Sequence, residues 1–243
     1  MVMKEVFLYE RNPPLDEIER ISSISSEYGL YELEDMVEGV PFLSVKEGYA
    51  FRGEKIKSFY GMVCALWAIP VQHMNEGYEK VPLSEIKRLS PSDPTDAFDL
   101  CEKAFIKKPL HAEPFMNGID GDDSALSYLA ASFLAREAMD VEAGWHGVIW
   151  GHYTVLYLEP WKQNFEMLSE SPLPKEKWNM KELPKLWSPE IIFDGDIVKV
   201  RFRTYTGLSR RRIHEFTDTY ARRNYSFKSE MREIGRAGGG YMV

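Results

Sequence analysis

Apolar residues recur at steps of three and four through one central stretch of the chain, between about residue 124 and residue 141. The apolar members of this pattern are Leu126, Leu129, Ala130, Phe133, Leu134, Ala138 and Val141. Such spacing places all of them on one side of an α-helix. The residue types at positions 120–124 suit a turn and an N-cap, because their side chains accept hydrogen bonds from free backbone N–H groups. The pattern predicts a buried central helix that leads into a core strand over residues 154–158.

Shorter apolar runs bounded by glycine or proline predict β-strands elsewhere in the chain. They cover residues 3–9, 43–51 and 61–69. The clearest signal is a β-hairpin that begins at residue 191 and continues to residue 205. Its Asp194-Gly195 pair suits a tight two-residue turn, because such turns require positive φ angles.

Three further segments have the spacing of short amphipathic helices. The first covers about residues 15–28, and the second covers residues 94–105 with Asp93 as its N-cap. The third runs from about residue 210 to residue 223 and has Ser209 as its N-cap. Its inward-facing residues are Ile213, Phe216 and Tyr220.

Together these elements predict an α+β fold, with a mixed or antiparallel sheet flanked by three or four helices and a C-terminal β-hairpin plus helix. We expect one globular domain over residues 1–243. A faint similarity between residues 61–70 and 151–160 leaves open a weak duplication of residues 1–110 and 111–243.

Composition agrees with a chain that buries a core, because 44% of its 243 residues are hydrophobic. The longest uncharged apolar run, residues 59–71, is shorter than the roughly 20 residues that a bilayer span needs. The N-terminus carries charge where a signal peptide needs an apolar segment. Cys64 and Cys101 have no metal-type spacing. We therefore expect a cytoplasmic protein with no membrane partner, and the sequence does not indicate an oligomeric state.

Charge is distributed unevenly along the chain. The net charge is −8, but the segment from Lys199 to the end holds 11 Lys or Arg and only four acidic residues, a balance of +7. The first 198 residues therefore carry a balance of −15. The chain is acidic with a basic C-terminal module.

The basic module predicts an anion-binding site. Side chains alternate along a strand, so Lys199, Arg201 and Arg203 share one face. Arg210, Arg211 and Arg212 fall in the first turn of the predicted C-terminal helix, where the helix dipole disfavours cations unless a negative partner is near. We expect a phosphate-bearing ligand or nucleic acid to be that partner. The alternative is structural, with Glu215 pairing with these arginines and the acidic remainder of the chain neutralising them.

A second hypothesis is an enzyme, a metal-dependent or acid/base hydrolase built near the central helix. Its candidate residues are Glu142, His146 and His152, joined through folding by His111 or by Asp120, Asp122 and Asp123. The chain contains no nucleophile elbow, phosphate-binding loop or paired Cys-x-x-Cys motif. No metal site is therefore assigned and no cofactor is named. A structural or interaction protein is the third alternative.

Overall fold

A computed structural model describes residues 5–8, 21, 24–58, 61–83, 104–142, 144–145, 154–155, 187–206 and 211–237. Strands predominate in these residues and form four sheets. The strands are β1 Glu5–Leu8, β2 Leu43–Val45, β3 Tyr49–Ser58, β4 Gly61–Pro70, β5 Tyr78–Pro82, β6 Phe105–Pro109, β7 Glu113–Pro114, β8 Ile119–Gly121, β9 Gly144–Trp145, β10 Thr154–Val155, β11 Glu190–Asp194, β12 Ile197–Thr206, β13 Arg211–Ala221 and β14 Phe227–Ala237. The α-helices are α1 Leu33–Glu38 and α2 Ala125–Glu137. None of the described helices has the length and apolar character that crossing a membrane requires.

The chain divides into two compact units. Unit 1 comprises residues Met1–Asn12, His152–Thr219 and Ser229–Val243, and unit 2 comprises Pro13–Gly151 and Tyr220–Lys228. The prediction of one globular domain stays a prediction, because this division does not test whether the chain unfolds cooperatively. The possible duplication also stays a prediction.

Unit 1 is built on a six-stranded sheet. Its strand order is β1-β11-β12-β13-β14, and β10 pairs with β12 beyond the end of β11. On one face of β12, Val198, Val200 and Phe202 are fully buried, and Phe202 stacks on Phe216 of β13 at 5.4 Å between ring centroids. The alternation predicted for β12 is confirmed, and it leaves the basic residues of this strand on the opposite face.

The predicted hairpin is confirmed as β11 and β12. Asp194 pairs with Ile197, so the two turn residues are Gly195 and Asp196. Gly195 has a φ of 60°, and Asp196 is not among the positive-φ residues. A positive φ at the first turn residue alone matches a type II′ turn, which favours glycine at that position. The turn therefore lies one residue later than the sequence predicted.

Unit 2 contains three smaller sheets. β3 and β4 pair along their whole length, from Tyr49 opposite Pro70 to Ser58 opposite Gly61. β7 and β9 add to β4, whereas β2 pairs with β8 and β5 pairs with β6. One apolar cluster joins residues of β3, β4, β5 and β6. Its buried members are Ile56, Val63, Ala65, Trp67, Val81, Leu83 and Ile106.

Helix α2 confirms the predicted central helix and the core of unit 2 surrounds it. Ser124 is its N-cap, and the Ser124 side chain accepts a hydrogen bond from the Ser127 backbone N–H at 3.1 Å. Twelve of its thirteen residues are buried, so the helix is enclosed on all sides. A helix buried all round needs small side chains to admit its neighbours, and the alanines and serines of α2 meet that need.

The prediction of a sheet flanked by three or four helices is wrong. Among the described residues, α2 is the only helix longer than six residues, and the fold is mostly β-sheet rather than α+β. The predicted C-terminal helix over residues 210–223 is instead β13, followed by a turn. His214 and Asp218 are buried in β13, alternating with Phe216 and Tyr220, although they are polar. The apolar residues that remain therefore match a helical period.

The remaining predicted elements fall partly or wholly outside the described residues. Of the helix over 15–28, the described part comprises Ile21, which is helical and buried, and residues 24–28, which begin with a short 3₁₀ turn at Ile24–Ser26. The helix over 94–105 lies outside them except for its last two residues, and Phe105 begins β6. The strand over 43–51 is interrupted by a turn at Gly48, whose φ is 81°. Two residues of the strand over 154–158 are described, and they form β10.

Candidate functional site

The basic residues of unit 1 form a surface that we call the arginine face. It is defined by Lys199, Arg201, Arg203, Arg232, Glu190 and Glu215. The hairpin register places Arg201 opposite Glu190, and the Arg201 Nη1 group donates to Glu190 Oε2 at 3.0 Å. Lys199 lies two residues away on the same face and is exposed. The predicted basic side of β12 is therefore present, with a carboxylate at one point along it.

Glu215 of β13 bridges two arginines on this face. Its Oε2 atom accepts a hydrogen bond from Arg203 Nη2 at 2.7 Å, and its Oε1 atom accepts one from Arg232 Nη2 at 2.8 Å. Arg203 is buried, whereas the Arg232 side chain is 73% exposed. The carboxylate thus holds two guanidinium groups side by side, one inside the protein and one at its surface.

The predicted helix start at these arginines is wrong, whereas an anion-binding role for Arg210, Arg211 and Arg212 stays a prediction. Arg211 and Arg212 belong to a strand, so their side chains point to opposite faces of the sheet. Arg211 shares the face of Glu215, and Arg212 lies 3.6 Å from Glu233 on the other face. Arg210 lies outside the described residues. No helix dipole acts here, and the argument for an anion at that position loses its basis.

Glu233 takes part in a separate ionic pair. It accepts hydrogen bonds from Arg236 at 2.8 and 3.1 Å. The Arg236 guanidinium, followed by the charge of Arg212, lowers the pKa of the Glu233 carboxyl. Because Glu233 and Arg212 lie on the opposite face of the sheet from Glu215, we do not include this ionic group in the arginine face.

The second predicted set, near the central helix, is described only at Glu142. Its carboxylate lies 2.6 Å from the Lys55 ammonium, and its φ is 52°. His146 and His152 lie outside the described residues. The enzyme hypothesis on these three residues therefore stays a prediction, and the one member that is described is held in an ion pair.

The sequence did not single out a buried acid five residues before Glu142. Glu137, in the last turn of α2, is buried, and its Oε2 atom accepts a hydrogen bond from Ser25 Oγ at 3.0 Å. Burial, reinforced by the nearby Asp140 carboxylate, raises the pKa of Glu137 to about 8. Burial likewise raises the pKa of the Cys64 thiol to about 12, so this cysteine is not a thiolate at neutral pH.

The acids at 120–123 act as turn and cap residues. Asp122 Oδ1 accepts from the Ser124 N–H at 3.0 Å, and Asp120 Oδ1 accepts from the Gly121 N–H at 2.8 Å. Asp123 pairs with Arg222 at 3.0 Å. His111 lies elsewhere in unit 2, beside His73 and Glu76.

Glu190 is the functional candidate that the sequence could have supplied. Once the turn is placed at Gly195 and Asp196, counting back along both strands brings Glu190 opposite Arg201. Arg232 could not be placed in this way, because nothing in the sequence fixes the register of β14 on β13.

The chain matches no protein-family model, and comparisons with curated proteins and with solved structures return no similar protein. The site residues therefore have to be interpreted from their own chemistry.

Proposed function

We propose that the protein binds a phosphate-bearing anion, either a nucleotide or a nucleic acid, on the arginine face of unit 1. The observation that supports this proposal is a local charge imbalance. Arg201, Arg203 and Arg232 share two carboxylates, Glu190 and Glu215. Lys199 and Arg211 add two further cations to this side of the sheet, against one further carboxylate, Asp194, which lies opposite Ile197 at the turn. An excess of positive charge on a sheet surface attracts anions, and phosphate suits the planar guanidinium group.

Arg232 supplies the accessible part of this site. Its side chain is 73% exposed and gives one N–H to Glu215. A guanidinium has five N–H donors, so most of its donors face solvent and can engage a phosphate in bidentate fashion. Glu215 holds the Arg232 guanidinium in one position, so this side chain loses less conformational entropy when a ligand binds.

Arg201 supplies a second donor. Its Nη1 group is taken by Glu190, while its Nε atom is buried and has no hydrogen-bond partner among the described residues. The Arg201 side chain as a whole is 38% exposed, so a phosphate can approach its guanidinium through donors that Glu190 does not occupy. Lys199, which is exposed on the same face, adds a third cation.

The net charge of −8 opposes long-range attraction to a polyanion. Binding must therefore depend on short-range contacts with the arginine face, and the response to salt distinguishes the two phosphate sources. For a nucleic acid, log K falls against log salt with a slope of about −0.9 per phosphate neutralised on duplex and about −0.7 on single strands. A small phosphate-bearing ligand binds with defined stoichiometry and a weaker salt response.

The experiment measures binding of pyrophosphate, ATP and fluorescent oligonucleotides to the full chain at several salt concentrations, by calorimetry and by anisotropy. Arg232→Gln removes the exposed cation and should weaken binding about tenfold, within the 1–3 kcal/mol typical of a good arginine contact. For an oligonucleotide it should also reduce the salt slope by about one unit.

Arg223→Gln is the matched control. Arg223 is also an exposed arginine, with 83% of its side chain accessible, but it belongs to unit 2 and lies 3.7 Å from Asp123. If Arg223→Gln weakens binding as much as Arg232→Gln does, the binding is non-specific electrostatic attraction. If the protein binds none of these probes at low salt, the ionic contacts of the arginine face are structural and the proposal fails.

A further inference from the structure

We propose that His73, Glu76 and His111 of unit 2 form a zinc-binding site, independent of the arginine face. The three residues come from two connections between strands. His73 ends a 3₁₀ turn, Val71–His73, that follows β4, and Glu76 lies in the loop before β5. His111 lies in the loop between β6 and β7.

Backbone hydrogen bonds hold the two loops together. β5 pairs with β6 up to Tyr78 opposite Pro109, and the Leu110 N–H donates to the Gly77 carbonyl at 3.0 Å, which extends the ladder into both loops. The Glu76 N–H donates to the His73 carbonyl at 3.0 Å. The three side chains therefore project from backbone that is fixed on both sides, which is the arrangement that a metal site needs.

The distances suit a metal ion after a small adjustment. Glu76 Oε1 lies 2.7 Å from His73 Nδ1, and Glu76 Oε2 lies 3.0 Å from His111 Nε2. One ligand atom from each residue lies within 4.8 Å of the other two. Zinc binds nitrogen and oxygen at roughly 2.0–2.2 Å, so tetrahedral donors stand about 3.4 Å apart. To admit the ion, the distance from Glu76 to His73 Nδ1 has to lengthen by about 0.7 Å and the distance from Glu76 to His111 Nε2 by about 0.4 Å.

The charges in the cluster favour a cation. The two imidazole rings stack with centroids 4.2 Å apart, and the Glu76 carboxylate lies within hydrogen-bonding distance of one nitrogen of each ring. A metal ion supplies positive charge to the carboxylate and leaves both rings neutral, which is the form that binds metal.

Two histidines and one glutamate are a donor set that catalytic zinc sites use, with the fourth position open to water. The three side chains are 27%, 44% and 54% exposed, for His73, Glu76 and His111 respectively, so an ion can enter and a water can complete its shell. Zinc stands above the earlier divalent metals in affinity for such a site.

Gln72 provides support around the site. Its Nε2 atom lies 3.1 Å from His73 Nε2, the ring nitrogen that faces away from Glu76. With zinc on Nδ1, the His73 Nε2 atom carries a proton and needs an acceptor. Rotating the Gln72 amide by a half turn presents its oxygen to that N–H and fixes the ring, as outer partners of metal-binding histidines commonly do.

Zinc binding is measured by calorimetry on the full chain after chelator treatment, and Co²⁺ serves as the coloured probe of coordination number. We expect one Zn²⁺ per chain. His73→Ala, His111→Gly and Glu76→Gln should each weaken binding by more than about tenfold, because loss of even an outer-shell partner costs 10- to 100-fold. Glycine is chosen at position 111 because the φ of His111 is 58°, a conformation that glycine adopts without strain.

Glu79→Gln is the matched control, since Glu79 is an exposed glutamate three residues away that pairs with Lys108. It should bind zinc like the unaltered protein. If the unaltered protein binds no zinc, or if the three variants bind it as well as Glu79→Gln does, the proposal is wrong. In that case the cluster is a hydrogen-bonded contact that ties the two loops together.

Discussion

Tyr225 contributes packing through its aromatic ring and hydrogen bonds through its hydroxyl group. The ring is buried and stacks on Tyr128 at 5.0 Å between centroids. The hydroxyl accepts a hydrogen bond from the Asp123 N–H at 3.0 Å and lies 2.7 Å from Ser127 Oγ. One side chain from the loop between β13 and β14 thereby satisfies two polar groups at the start of α2.

Removing that hydroxyl should destabilise the protein. Tyr225→Phe keeps the ring but leaves the Asp123 N–H without its acceptor, which costs about 1–3 kcal/mol, whereas the Ser127 hydroxyl still donates to the Ser124 carbonyl at 2.8 Å. Urea unfolding measures the change. Tyr31→Phe, which alters an exposed tyrosine, is the control and should have no effect. Equal stability of the two variants would show that water replaces the hydroxyl.

Glu137 should make stability fall as pH rises. Its pKa in the folded protein, about 8, lies above the ordinary carboxyl value of 4.5, so folding favours the protonated acid. The stabilisation is complete below the unfolded pKa and is lost as pH rises toward the folded pKa. Between pH 5 and pH 7 the loss should be about 2 kcal/mol.

Glu137→Gln, which imitates the protonated acid, isolates this effect. Its unfolding free energy should vary less than that of the unaltered protein over the same pH range, and the difference between the two curves should grow with pH. Parallel curves would mean that Glu137 is ionised in the folded protein.

Among the elements, alternation of apolar and polar residues predicted a strand correctly only where the buried face of that strand is apolar. Val198, Val200 and Phe202 gave a clear alternation, and β12 was predicted correctly. The interior positions of β13 include His214 and Asp218, which are buried although polar. Ile213, Phe216 and Tyr220 then imitated a helix. Burial in the folded protein favoured the strand period of two residues over the helical period of 3.6. A single sequence does not reveal which polar residues are buried.

The β11 to β12 turn provides a test at this scale. Gly195→Ala puts a Cβ where φ is 60°, which should cost about 1–2 kcal/mol of unfolding free energy. Asp196→Ala, at the neighbouring turn position without positive φ, is the control and should change stability little. Thermal or urea unfolding compares the two. An unchanged Gly195→Ala protein would indicate that the turn relaxes to another type.

For the molecule as a whole, the two units are interleaved along the chain. The segment Tyr220–Lys228 belongs to unit 2, while residues before and after it belong to unit 1. It brings Tyr220, Tyr225 and Phe227 into unit 2, and Tyr220 Oη lies 2.6 Å from Ser132 Oγ of α2. Unit 2 is therefore incomplete without the segment Tyr220–Lys228, which follows most of unit 1 in the sequence.

A fragment of residues 13–151 should accordingly fail to fold cooperatively. It lacks three buried rings, each worth about 3–5 kcal/mol, which together reach the total stability of a typical domain. The full chain should unfold in one urea transition, whereas the fragment should show no sharp transition and a weak near-UV circular dichroism signal. A fragment as stable as the full chain would contradict the assignment of Tyr220–Lys228 to unit 2.

The contact between His73 and His111 could not be predicted from the sequence, because it depends on the fold of the whole unit. His73 and His111 are brought together by the pairing of β5 with β6, and the chain between those strands gave no signal of that pairing. His111 was singled out as a candidate ligand but without its partners. Local patterns identify elements, whereas sites depend on which loops meet.

Strand β14 ends the strand order of the unit 1 sheet, and β13 is its one neighbour within the described residues. A free strand edge offers a row of N–H and C=O groups to which a second chain can add. This strand is eleven residues long, but it carries Lys228, Glu230, Arg232, Glu233 and Arg236. Two copies approaching edge to edge would bring these charges together, so the charged side chains of β14, including Arg232 of the arginine face, oppose aggregation of the protein with itself.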